Sequence, residues 1–428
     1  MPSNNLNSNV SQIVLKKFAP GFTNSNVLVN AVDRQVIQGE LNPNTGDSVR
    51  LKRPMQYRAI RTNTGDLTAQ QSSNLISGTI EARISQYCSV WIEYDQIEEA
   101  LRLNQWEQIL APAYERMNTE IELELARYIV NNSGAGFLGT QGTAITKWSD
   151  VAQAGSFLTD IGLGVGKKYA ILDPWAAQSL ADKQSALGSG NVELIRTAWE
   201  DAQISGNFAG VRALMSNALA SRTSGSAAGS ASVTVKTTPD ATYTTAKDTM
   251  RMTVTLTGAS LAGKALRAGD QLVFPATGWI NQQTKQPLFR NGALVPFSAT
   301  VFADANAVGN DITVTITTAP VFDATNPQFN VVSRALTAGD AVTIAGAAST
   351  VYKPSIFMHE KAVAMGTIVL PKLQGWDSSV MTSASTGLSM RATMSSNPIT
   401  NVQGVRIDLL PAFGLLIPQG VGHLYGNP

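Results

Sequence analysis

The stretch Gly162-Leu163-Gly164-Val165-Gly166-Lys167-Lys168 is the first place where residue types and spacing suggest chemistry. A glycine-rich loop ending in Gly-Lys can wrap backbone N–H groups around phosphates. It needs a first glycine separated by four residues from that Gly-Lys pair, and a Ser or Thr after the lysine. Here Ile161 stands where the first glycine should be, and Lys168 takes the place of the magnesium-binding hydroxyl. A helix should follow, whereas Tyr169-Ala170-Ile171-Leu172 reads as a short buried strand. The nucleotide reading therefore fails.

The other reactive types also lack partners. Neither His359 nor His423 has Cys, His or acidic residues at zinc spacing, although Glu360 adjoins His359, which reads as a surface or interface histidine. Gly225-Ser226-Ala227-Ala228-Gly229 is a broken form of the Gly-x-Ser-x-Gly elbow. Glu115, Glu120, Glu122 and Glu124 lie off an apolar helical stripe, without a histidine to work with. They read as a solvated or subunit-facing surface. Cys88 is the only cysteine, so it forms no internal disulfide. Its alternating surroundings mark a packed thiol. Asp270 and Asp340 each close an Ala-Gly-Asp turn. No catalytic residue, metal ligand or cofactor is expected, and the chain is not read as an enzyme.

What remains is charge that could hold a partner. Arg50, Lys52, Arg53, Arg58 and Arg61 form the clearest basic cluster. Long basic side chains alternating on an arm can reach a neighbouring subunit's carboxylates, such as Glu120 and Glu124, or DNA, or form a solvated hairpin face. The net charge of only +1 argues against a strongly basic nucleic-acid binder.

The elements that position these residues follow from patterning. With 428 residues the chain can bury more than one core. Charged residues are 15% of it, against a usual quarter. Such a surface costs little to desolvate against copies of itself. A secreted β-rich adhesin would share that composition. The N-terminus shows no basic-then-apolar signal segment, and no apolar run suits a membrane helix, so the chain is expected to be soluble and made in the cytoplasm.

An Asn/Ser-rich arm carries one short helical piece, Val10 to Phe18. Residues 47–53 and Ile76 to Tyr94 alternate like strands around the Asn63-Thr64-Gly65-Asp66 turn, predicting a long two-stranded arm. Leu110, Ala113, Met117, Ile121, Leu125, Tyr128 and Ile129 predict a long helix from about Asn104 to Asn132-Ser133-Gly134, with Pro112 implying a kink or a start near Ala111. Residues 137–222 read as α/β, with helices at Asp173-Pro174 and about Val192 to Gln203. Ser221–Ser232 and Gly346–Ser349 read as linkers. Between them fall strands near Met252–Leu256, Gln271–Phe274, Phe297–Phe302, Ile312–Ile316, Phe329–Val332 and Ala341–Ile344. Their spacing suggests a small antiparallel barrel. Past it, Ser355 to Leu370 resumes α/β character. Leu388–Met394, Gly404–Leu409 and Leu415–Ile417 read as closing strands.

This order resembles the major coat proteins of P22-like tailed phages. The most telling stretches are Thr253–Leu256, Arg267-Ala268-Gly269-Asp270-Gln271-Leu272-Val273-Phe274, Phe297–Val301 and Asp311–Ile316. The run from Ser385 through Gly422 also looks like the family's ending.

The resemblance implies an α+β HK97-like capsid fold: an N-terminal arm (1–38), an E-loop hairpin with a P-domain strand (39–94), a P-domain with a spine helix (95–136), the first part of an A-domain (137–222), an inserted β-barrel I-domain (223–346), and the C-terminal part of the A- and P-domains (347–428). It implies pentamers and hexamers in an icosahedral shell around double-stranded DNA. It also implies a scaffolding-dependent procapsid assembled in the host bacterial cytoplasm, a portal protein, and a decoration protein as a further partner, with no membrane. By position, the family's intercapsomer loop falls at Lys236 to Thr249, with Asp240, Lys247 and Asp248 as ion-pair partners. An encapsulin-like compartment shares the fold class but is not expected to carry the insertion.

Overall fold

The computed structural model describes residues 12, 14–16, 18, 26–34, 48–53, 55–68, 72–95, 106–185, 207–382, 387–397 and 402–428. The helix expected at Val192 to Gln203 lies outside them. The chain forms two compact units, one from residues 1–51, 81–126 and 363–414, the other from 52–80, 127–362 and 415–428.

The first unit holds most of the long helix Trp106–Asn131. Leu110, Met117, Ile121 and Leu125 recur at helical spacing and are essentially closed to solvent. Pro112 sits inside this helix, which already runs from Trp106, close to the start expected at Asn104, so the alternative start near Ala111 is corrected. In the second turn, proline removes a single N–H donor, which the packed stripe outweighs.

The described part of the Val10–Phe18 piece is helical, and Val14, Leu15 and Phe18 are buried. Phe18 meets Tyr114 of the long helix edge-on, with ring centroids 6.0 Å apart. One antiparallel sheet orders Asp377–Thr382, Ser389–Asn397, Val402–Leu409 and Cys88–Asp95. A second orders Ser48–Lys52, Thr79–Ile84, Pro411–Leu415 and Val363–Thr367.

The expected two-stranded arm is corrected here. Among the described residues, strand structure is confined to its base, Ser48–Lys52 beside Thr79–Ile84, and residues 55–68 and 72–78 contain no strand. Polar runs such as Gln71-Ser72-Ser73-Asn74 supply no apolar face to pair. The two legs still meet, since the Arg58 N–H donates to Ser73 Oγ at 3.0 Å. The long alternation from Ile76 to Tyr94 also splits, its halves joining different sheets.

The second unit is built on a six-stranded sheet ordered Phe137–Leu138, Val421–Leu424, Ser355–His359, Lys168–Leu172, Val211–Met215 and Asn207–Phe208. It draws strands from both sides of the β block, so the block is a true insertion. Helices Trp148–Asp160 and Pro174–Ser185 belong to the same unit. Asp173 starts the latter as expected, its Oδ2 accepting the Trp175 N–H at 3.3 Å.

The insertion closes as a barrel through Arg251–Thr257, Asp311–Thr317, Pro296–Val301, Gln271–Gly278, Ala341–Ile344 and Val233–Val235. Met252, Val254 and Leu256 point inward while the alternate threonines face out. Thr255 and Thr313 lie opposite each other, with hydroxyls 3.2 Å apart.

Several local expectations change. Phe329–Val332 is no strand: Pro327–Phe329 forms a 3₁₀ turn, and Val332 makes one isolated bridge to Trp279. Leu416 and Ile417 leave the sheet edge and donate to the Ala362 carbonyl. The stretch Ser355 to Leu370 gives two strands, Ser355–His359 and Val363–Thr367, in different sheets and without an intervening helix. The two linkers are packed structure. Arg222–Thr223 pairs with Val351–Tyr352, and the Ser224 hydroxyl donates to the Ala347 carbonyl at 2.6 Å. Ala227 and Ala228 are buried, since their small side chains allow close approach.

Candidate functional site

The basic cluster divides by burial. Arg50, Lys52, Arg58 and Arg61 are exposed. Arg53 is half-buried, its Nε donating to the Lys247 carbonyl at 3.3 Å and its Nη2 to the Thr79 carbonyl at 3.2 Å. Burial pushes its guanidinium pKa down, against the opposing pull of Tyr243 and Asp248.

The loop from Lys236 to Thr249 is folded onto its own barrel. Its short helix Tyr243–Ala246 buries Tyr243, whose ring stacks on Phe329 at 3.8 Å. Asp240 caps that helix: its carboxylate accepts the Thr242 N–H at 3.0 Å and the Thr245 hydroxyl at 2.6 Å, which hold its pKa below the usual range. Lys247 and Asp248 form a pair at 3.2 Å. Asp248 also accepts both the N–H and the hydroxyl of Thr79, at 3.2 and 3.0 Å.

On the long helix, Glu120 pairs with Arg116 at 3.2 Å in the exposed i,i+4 arrangement, and Glu124 accepts the Ser85 hydroxyl. Glu122 does not join the solvated set. It is buried and accepts the N–H groups of Val27 and Leu28, the latter at 2.7 Å. A carboxylate at the start of the short helix Leu28–Ala31 satisfies donors that have no intrahelical partner.

Both histidines are structural, and the surface reading of His359 is corrected. His359 is buried, with Nδ1 accepting the Lys361 N–H at 3.2 Å, so its Nε2 carries the proton donated to the Val165 carbonyl at 2.7 Å. That bond clamps the Gly162–Lys168 loop. Gly166 has φ +106° there, and a Cβ on it would lie 2.7 Å from His359 Nε2. These glycines serve close packing, where the sequence suggested phosphate.

His423 is fully enclosed. Its Nε2 donates to the Val130 carbonyl at 2.9 Å, and its Nδ1 accepts from Gln271 Nε2 at 3.0 Å. Burial, reinforced by nearby Arg222, pushes its pKa down to about 3. Around it, Thr300 donates to the Ser133 carbonyl and Ser298 to the Ala135 carbonyl, the latter at 2.9 Å. Barrel, C-terminal strand and the end of the long helix thus share one polar node. Asp270, read from sequence as a turn residue, also forms a buried ion pair with Arg222.

A cleft of about 960 Å³ beside helix Trp148–Asp160 is lined by Trp148, Phe157, Lys168, Phe289 and Arg290. It is mainly an apolar wall between the helix and the Phe289–Arg290/Ala293–Leu294 hairpin. Among the described residues, no group of three His, Cys, Asp or Glu side chains could hold a metal ion. Cys88 packs as expected, its thiol donating to the Met117 carbonyl at 3.9 Å. Burial pushes its pKa up to about 12. The described residues include no helix long and apolar enough to cross a membrane.

A capsid protein from Acyrthosiphon pisum secondary endosymbiont phage 1, described as a major capsid protein, is 49% identical over 428 residues, covering all of both chains. The family model described as "P22 coat protein - gene protein 5" matches residues 1–426.

Solved structures with an extended but distant likeness include Mycobacterium phage Che8 (12% identity, 93% of this chain and 90% of that one, TM-score 0.45). The capsid of cyanophage P-SCSP1u is another (10% identity, 94% and 89% coverage, TM-score 0.41). The chain is a phage major capsid protein, a component of the virion shell. It belongs to the P22 coat protein family.

Proposed function

We propose that copies of this chain assemble as pentamers and hexamers into an icosahedral shell enclosing phage double-stranded DNA, on an HK97-like fold extended by the barrel. Assembly runs through a scaffolding-dependent procapsid in the bacterial cytoplasm, which expands as DNA enters through a portal. The observation that carries this reading is the family match across almost the whole chain, barrel included. Capsid contacts must be individually weak so that errors dissociate, yet numerous enough to hold together. The low charge fraction suits that requirement.

Arg50, Lys52, Arg58 and Arg61, exposed on the arm and its base, reach for carboxylates such as Glu120 and Glu124 on a neighbouring copy. Asp240, Lys247 and Asp248 lie where the family's intercapsomer loop falls. A decoration protein is a further partner for the outer face, and DNA meets the inner face without sequence preference.

Cargo analysis tests the reading. Particles purified from infected cells should contain double-stranded DNA. Particles filled with an enzyme and free of DNA would instead indicate a protein compartment.

A further inference from the structure

The described residues between Lys52 and Thr79 leave the sheet, and those near the two ends lie against the inserted barrel's outer elements. Four contacts hold them. Arg53 donates to the Lys247 carbonyl, Asp248 accepts two donors from Thr79, Lys285 Nζ donates to Gln56 Oε1 at 3.2 Å, and Asn74 Nδ2 donates to Asn326 Oδ1 at 2.9 Å. Gly78 permits the closest approach, since a Cβ there would overlap the Lys247 carbonyl oxygen and meet the Tyr243 hydroxyl.

The receiving surface is rigid. The Tyr243–Phe329 stack fixes residues 243–248, and Asp323 holds Asn326 through both its N–H and its side-chain amide. Among the described residues, Lys285 donates to the neutral oxygens of Gln56, Gln282 and Asn330.

We propose that the inserted barrel carries a docking site for the arm of its own chain, formed by residues 243–248, Lys285 and Asn326, with Arg53, Gly78 and Thr79 as the elements that fit it. Docking fixes the arm's root in the isolated subunit, before any neighbour is met. Ordering a free segment costs conformational entropy at each residue. An arm already held by its own barrel meets a neighbouring subunit with that cost largely met, which speeds productive contact. The tip remains available, since Leu67, next to the Asn63–Asp66 turn, is 55% exposed. The consequence for assembly rests on the shell reading, whereas the docking itself does not.

Hydrogen exchange of the unassembled full-length subunit tests it by mass spectrometry. Asp248→Ala removes an acceptor whose side chain is half exposed, and so leaves the barrel core untouched. Gly78→Val blocks the close approach by bulk. Both should raise exchange in peptides from residues 55–76 by about tenfold, as expected on losing charge-assisted hydrogen bonds. Barrel peptides from 251–257 and 311–317 should stay unchanged. Arm exchange equal to the parent's in Asp248→Ala would overturn the proposal, whether or not either variant still forms shells.

Discussion

Arg222 Nη1 lies 2.7 Å from Asp270 Oδ1, and both side chains are closed to solvent, at 4% and 0% exposure. Asp270 Oδ2 also accepts the N–H groups of Gly225 at 3.0 Å and Arg267 at 2.8 Å. One carboxylate therefore joins the chain entering the barrel to the turn before the strand Gln271–Gly278.

The second Ala-Gly-Asp turn provides an internal control. Asp340 accepts the Thr337 N–H and pairs with Arg334, just as Asp270 serves Arg267 and Arg222, but Arg334 is 38% exposed. Asp270→Ala strands a buried guanidinium and should destabilise by roughly 3–5 kcal/mol. Asp340→Ala should cost about 1 kcal/mol, because water can replace its partner. Urea unfolding of the two variants checks the difference; equal losses would mean that burial is not what sets the strength of these turns.

Acid should loosen the node at His423. Its folded pKa is about 3, against an ordinary value of 6.5. The unfolded chain therefore binds the extra proton between those values. The stability contributed by neutral His423 is complete above pH 6.5 and is lost progressively as pH falls toward 3, by up to about 1.4 kcal/mol per unit. Protonation would also place an N–H against the Gln271 amide, which donates to Nδ1. Thermal melts from pH 7 to 4 should show a steep fall for the parent. His423→Gln should show a flatter one from a lower starting point, and parallel curves would refute the assignment.

Glu122 and Glu115 share one helix and differ in burial. Glu122→Ala leaves the Val27 and Leu28 donors without their acceptor and should cost roughly 1.5–3 kcal/mol. Glu115→Ala removes an exposed carboxylate and should stay within about 0.5 kcal/mol. Chemical denaturation of both variants distinguishes them.

Cys88 should resist thiol reagents. It is buried and its pKa is about 12, so almost no thiolate exists at neutral pH. Labelling by a thiol-reactive disulfide should be negligible in the native protein and complete in denaturant. Rapid native labelling would contradict the packed position.

The barrel was legible because its evidence is local. Thr253-Val254-Thr255-Leu256 alternates, its partner Asp311-Ile312-Thr313-Val314 alternates in register, and Gly-Asp turns punctuate both halves. The long helix was legible from its stripe. What stayed hidden depends on contacts far along the chain. Glu122 resembled its solvated neighbours because its two donors lie more than ninety residues away. His359 and His423 carried no metal-like neighbours because their partners are backbone carbonyls and an amide. The Arg222–Asp270 pair was masked by the small residues around Arg222. A lone arginine in a run of serine, alanine and glycine was the available signal, since a true linker gains nothing from it.

Shell formation is visible by negative-stain electron microscopy of the purified protein. Expressed in bacteria together with the proposed scaffolding partner, the chain should yield closed, uniform icosahedral particles. Monomers alone, both with and without that partner, would contradict the account.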